Sequence, residues 1–123
     1  MAVKPVTTFG RSGLSDWLIQ RVSAVVIAIY VLVMTGYLVA HPELSYAQWA
    51  GLHQQFGVRL LTLLTVLAIA AHAWIGIWAV LTDYVTVRLL GPIATPLRLA
   101  AELGAIALIL AYVVWAIDIL WGV

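Results

Sequence analysis

Three long apolar runs, roughly 22–40, 60–81 and 99–120, divide the chain, and polar residues collect between and around them. Each run reaches or approaches the ~20 helical residues needed to cross a ~30 Å hydrocarbon core. A soluble three-helix bundle needs a polar face on every helix, and none of the three runs has one. The pattern predicts an all-α membrane protein of three transmembrane helices forming a single domain over residues 1–123. Between the first two runs, His41-Pro42-Glu43-Leu44 reads as a turn leading into a short surface helix, with Ser45 placed to cap it. Between the second and third, Gly91-Pro92 and Thr95-Pro96 read as breaks that precede the last span.

Composition agrees: 65% of the residues are hydrophobic and 9% charged, against about 25% charged in soluble domains. A net charge of +1 gives no argument for nucleic acid or an acidic partner. With no cysteine, the chain cannot ligate an iron–sulfur cluster, so any redox centre it holds is organic or bound through histidine. Cations set the orientation. Lys4, Arg11 and Arg21 precede or open the first run and Arg88 and Arg98 lie in or beside the 82–96 segment, whereas only Arg59 borders the 41–57 segment. The positive-inside rule then predicts a cytoplasmic N-terminus and a periplasmic C-terminus. Trp17, Trp49 and Trp121 stand at the expected membrane edges. Pro5, Gly10, Gly13 and Asp16 interrupt the N-terminal segment, which reads as neither signal nor transit peptide, so the expected location is a bacterial inner membrane. Segments outside the membrane are too short for dehydrogenase, hydrolase or kinase chemistry. The function expected is therefore exercised in the membrane, in a partner, or in both.

An ionisable side chain deep in the bilayer costs free energy and commonly marks function. His72 lies in the middle of the second run, and Thr65, Ala68, Gly76 and Ala79 share its helical strip. Two readings compete: an axial ligand to a haem lying against the small residues, or close helix packing with His72 hydrogen-bonded to a neighbouring helix. Haem ligation by two histidines would need a second ligand from another subunit or from a symmetry mate, because His41 and His53 both read as ordinary solvated loop residues. Arg21 is either a partner for a haem propionate or a snorkelling topology residue. Asp83 and Tyr84 end the second run, about 18 Å of helix beyond His72. There Tyr84 could donate to a quinone carbonyl and Asp83 relay a proton, or both could be interfacial anchors. Glu102 is expected to pair with Arg98 four residues earlier, and Asp118 to be hydrated.

The run His72-Ala73-Trp74-Ile75-Gly76-Ile77-Trp78-Ala79-Val80-Leu81-Thr82-Asp83-Tyr84-Val85 resembles the second-helix signature of the small hydrophobic anchor, or D subunit, of succinate dehydrogenase (respiratory complex II). Gly10-Arg11-Ser12-Gly13-Leu14-Ser15-Asp16-Trp17, then Arg21, and the closing Trp121-Gly122-Val123 resemble that family too. The resemblance implies that His72 ligates the iron of haem b, with the other axial histidine on the larger C-subunit anchor. It implies that Tyr84 hydrogen-bonds ubiquinone, with Asp83 as its acidic neighbour, and that Arg21 lies near the haem propionates. Partners implied are the second membrane anchor (a cytochrome b), the iron–sulfur subunit, the flavoprotein subunit and membrane lipid, with further association of whole complexes left open. Two departures stand out: Ser15 replaces a histidine found in some members, and the 82–96 loop looks longer than theirs. The function expected is a membrane anchor of succinate:quinone oxidoreductase. Its rivals are an anchor of a fumarate reductase or other quinone-linked cytochrome b complex, and a purely structural anchor that binds neither haem nor quinone. A transporter or channel is disfavoured, since one histidine among three helices makes a poor ion path.

Overall fold

A computed structural model describes residues 13–122, so Lys4, Arg11, the first residues of the N-terminal motif and Val123 lie outside the description. Every element is helical: α1 Gly13–Ala40, α2 Tyr46–Gln54, α3 Phe56–Tyr84, α4 Val87–Leu90, a 3-10 turn Gly91–Ile93, and α5 Ala94–Trp121. Helices α1 and α3, and the α4–α5 stretch, are each long and apolar enough to span a membrane.

The caps follow from local chemistry. Ser45 Oγ accepts from the Gln48 N–H at 3.2 Å while the Ser45 N–H donates to Gln48 Oε1 at 2.9 Å, a reciprocal capping box that starts α2 as expected. Gln55 alone separates α2 from α3, in extended conformation (φ −64°, ψ 131°). At the other end of α3 the Val85 N–H still reaches the Leu81 carbonyl, at 3.0 Å. Gly91, at φ +67°, turns the chain where an L side chain would be strained. Pro96 does not break the chain as expected. It sits in the first turn of α5, where its missing N–H would have had no intrahelical partner, so the helix starts earlier than the apolar run. The loop expected over 82–96 is thereby largely helix and 3-10 turn.

Helix α3 is central, with α1 and α5 packed on it and α2 lying across its beginning and the end of α5. Contacts show the up-down-up order. Ser23 of α1 meets His72 of α3 and Tyr30 meets Thr62, so the two helices run antiparallel. The Arg59 guanidinium lies 5.4 Å from the Trp121 ring centroid, which places the start of α3 beside the end of α5. The buried residues are mostly small: Ser23, Thr65, Ala68, Ala94 and Ala105, with Leu81 and Leu120. Large side chains point outward, Leu32 being 72% and Val39 76% exposed. Helices in lipid gain no hydrophobic drive from one another, and small residues let their backbones approach closely enough for dispersion and hydrogen bonds to hold them.

Candidate functional site

His72 faces α1 from the buried strip of α3 that carries Thr65 and Ala68. Its Nδ1 lies 3.1 Å from Ser23 Oγ, and the Ser23 hydroxyl also lies 3.1 Å from the Gln20 main-chain carbonyl. A carbonyl only accepts, so the single hydroxyl proton is committed to it and the imidazole must supply the other one. The chain of donors runs from Nδ1–H to Ser23 Oγ and from Ser23 O–H to the Gln20 carbonyl. That order leaves Nε2 unprotonated, with its lone pair free to accept or to ligate a metal. The Gln20 amide nitrogen covers it at a long 3.5 Å, while Gln20 Oε1 is buried without a hydrogen-bond partner. This side chain is loosely held. Gly76 lies one turn beyond His72 beside it, and a Cβ there would meet the Gln20 amide nitrogen at 3.7 Å, in ordinary van der Waals contact.

Beside His72 a groove of about 490 Å³ runs along α1, lined by Ala24, Ile27, Ala28, Val31, Leu32 and the imidazole itself. Its walls are apolar and come only from α1 and His72. Among the described residues no three His, Cys, Asp or Glu side chains converge on a metal site.

The other candidates stand apart from this cluster. Tyr84 is 66% exposed at the end of α3 and Asp83 is exposed beside it. Neither makes a side-chain hydrogen bond to another described residue, so both are presented outward. Arg21 follows Gln20 but is exposed, and its guanidinium lies 5.7 Å from the Trp17 ring centroid. Within this one chain His72, Arg21 and the Asp83–Tyr84 pair do not converge. Two expectations are corrected. His53 is not solvated: it is half-buried, its Nδ1 donates to the Trp49 carbonyl at 3.0 Å, and its Nε2 lies 3.4 Å from the Tyr30 hydroxyl. Arg98 and Glu102 form no ion pair with each other among the described residues, although both are half-buried on α5. Gln20 and Ser23 were not singled out from the sequence. The available signal was a pair of polar side chains three residues apart, on one face of an otherwise apolar helix.

The sequence model of the family described as "Succinate dehydrogenase/Fumarate reductase transmembrane subunit" matches residues 2–117. The chain belongs to this family. A relative, the succinate dehydrogenase hydrophobic membrane anchor subunit of Coxiella burnetii (strain RSA 493 / Nine Mile phase I), is 38% identical over 111 residues, 90% of each chain. As a membrane anchor subunit of the succinate dehydrogenase/fumarate reductase family with three spanning helices, the protein is a multi-pass membrane protein, consistent with the inner-membrane location expected from its sequence. Membership makes it one part of a larger complex.

Proposed function

We propose that this anchor subunit binds haem b through His72 Nε2 together with a second membrane anchor, and that Tyr84 forms part of a ubiquinone-reduction site. It docks the iron–sulfur and flavoprotein subunits on the cytoplasmic face of a bacterial inner membrane, with its own N-terminus on that side. The observation that carries the reading is the Nδ1–H···Ser23 Oγ contact, which leaves Nε2 in the ligand form. The donor set fits the group: an imidazole whose Nδ1 is bonded to Ser23, an apolar groove beside it, the small Ala24 and Ala28 in the groove wall, Ala68 one turn away on α3, and a weakly held Gln20 amide at Nε2. When bound, haem b supplies a one-electron centre within the membrane. His72 Nε2 would hold the iron, and Ser23 fixes the plane and tautomer of its ring.

Tyr84 and Asp83 act at the other end of α3. The exposed phenol donates its O–H to a quinone carbonyl, drawing electron density toward the oxygen and orienting the head group. Asp83, exposed and adjacent, takes up a proton from water and hands it on as the quinone oxygen acquires charge. About 18 Å of helix separates Tyr84 from His72, so the two act on different molecules.

The test is a reduced-minus-oxidised absorption spectrum of the purified complex carrying His72→Leu. The expected result is loss or displacement of the b-type band while the flavin and iron–sulfur subunits still co-purify. A band identical to wild type would refute the ligand assignment and leave a structural anchor.

A further inference from the structure

We infer that Ser23 is the positioning residue for the haem ligand, setting the ionic character and orientation of His72 from a neighbouring helix. The inference rests on the reading of His72 as a haem ligand and goes beyond it, since it assigns a role to a residue of α1 that touches no iron. Ser23 is 4% exposed and buried at the α1–α3 crossing. No other described residue offers His72 Nδ1 a hydrogen-bond partner, because the ring's other hydrogen bond among the described residues is from the Gln20 amide to Nε2. The hydroxyl cannot turn freely, since its proton is held by the Gln20 carbonyl. That carbonyl belongs to α1's own backbone, so the orientation of the imidazole on α3 is referenced to the backbone of α1. Any shift of α1 along α3 would move Oγ away from Nδ1 and release the ring.

Hydrogen bonding at the far nitrogen of a metal-bound imidazole makes the ligand more basic and fixes its plane, and losing such a partner typically costs about 10–100-fold in metal affinity. Two consequences follow for the whole complex. Without the Ser23 oxygen, haem leaves more readily. The less basic imidazole also stabilises oxidised iron less well, so the haem midpoint potential rises.

The experiment uses the purified complex with Ser23→Ala, Ser23→Thr and, as a control on the underlying reading, His72→Leu. Haem loss is followed by transfer to added apomyoglobin, and the midpoint potential by redox titration of the b band. Flavin and iron–sulfur subunit content reports assembly. The expected result is haem transfer about 10–100-fold faster in Ser23→Ala with a raised midpoint potential, and near-wild-type behaviour in Ser23→Thr, which keeps the oxygen. Wild-type transfer and potential in Ser23→Ala would overturn the inference, while His72→Leu losing its band would leave the ligand reading intact. If Ser23→Thr behaves like Ser23→Ala, packing at the crossing is the cause and the positioning role is overturned. A wild-type band in His72→Leu would remove the ligand reading, and the inference with it.

Discussion

The polar contact between Tyr30 and Thr62 should be measurable as a coupling energy between α1 and α3. The Tyr30 hydroxyl lies 2.9 Å from Thr62 Oγ1, and the Thr62 hydroxyl donates to the Val58 carbonyl at 2.8 Å. Thr62 has therefore spent its only proton, and Tyr30 must be the donor across the interface. The alternative acceptor, His53 Nε2, is farther away at 3.4 Å. Interhelical hydrogen bonds in membrane proteins average about 0.6 kcal/mol and reach about 1.7 at most, because the unfolded chain in the membrane also finds partners. With a short distance and an unambiguous donor, a coupling of about 0.6–1 kcal/mol is expected, or roughly three- to fivefold in an equilibrium constant. The perturbations are Tyr30→Phe, Thr62→Val and the double variant, compared as a thermodynamic cycle. Unfolding is driven by adding sodium dodecyl sulfate to mixed micelles and followed by fluorescence of the six tryptophans. Tyr30→Phe alone should cost more than the coupling, since it also strips His53 of a partner. A coupling of zero, with both single variants destabilised additively, would refute a Tyr30-to-Thr62 hydrogen bond.

Two further outcomes follow from the same geometry. Tyr84→Phe should slow succinate-to-quinone electron transfer several-fold while succinate oxidation with an artificial acceptor that bypasses the membrane stays intact; equal loss of both activities would point to failed assembly. Ala68→Leu forces an extra isopropyl group into a helix crossing where the alanine is 9% exposed, an overpacking cost of about 1–3 kcal/mol; Leu32→Ala, on a side chain 72% exposed, should barely register in the same detergent titration, and similar effects of the two would contradict the packing described.

The spans were legible because lipid demands a continuous apolar length, which a single sequence displays directly. Helix ends were not, because a helix need not stop where the hydrocarbon stops: α1 begins at Gly13, well before the apolar run at 22. Pro96 read as a breaker because the rule concerns helix interiors, and its place in a first turn depends on where α5 starts. Ser45 was legible since a capping box is written in residues three apart. His72 was visible as an ionisable residue in an apolar run, but its partners were not. Which face of α1 meets α3 depends on the rotation of both helices, and the one mark of it on α1 is the Gln20 and Ser23 pair, too short a polar stripe to set that rotation. His53 was misread for the same reason: the fold of α2 back over α3 brings it to Tyr30, far away in sequence. Arg98 and Glu102 have the right spacing for an ion pair and do not make one, as is common for pairs that gain so little.

Gln55 closes α2 through its N–H to the Leu52 carbonyl at 3.3 Å and opens α3 through its carbonyl, which accepts from the Arg59 N–H at 2.9 Å. A junction of one residue has no slack. Inserting a single amino acid there would swing the surface helix by about 100° relative to α3, carrying His53 off Tyr30. The exposed turn before Ser45 has no such phase relation to keep and can absorb changes of length. Among related chains, insertions and deletions on this side of the membrane should therefore accumulate before the surface helix and be purged after it, so that the helix is inherited in fixed phase with α3.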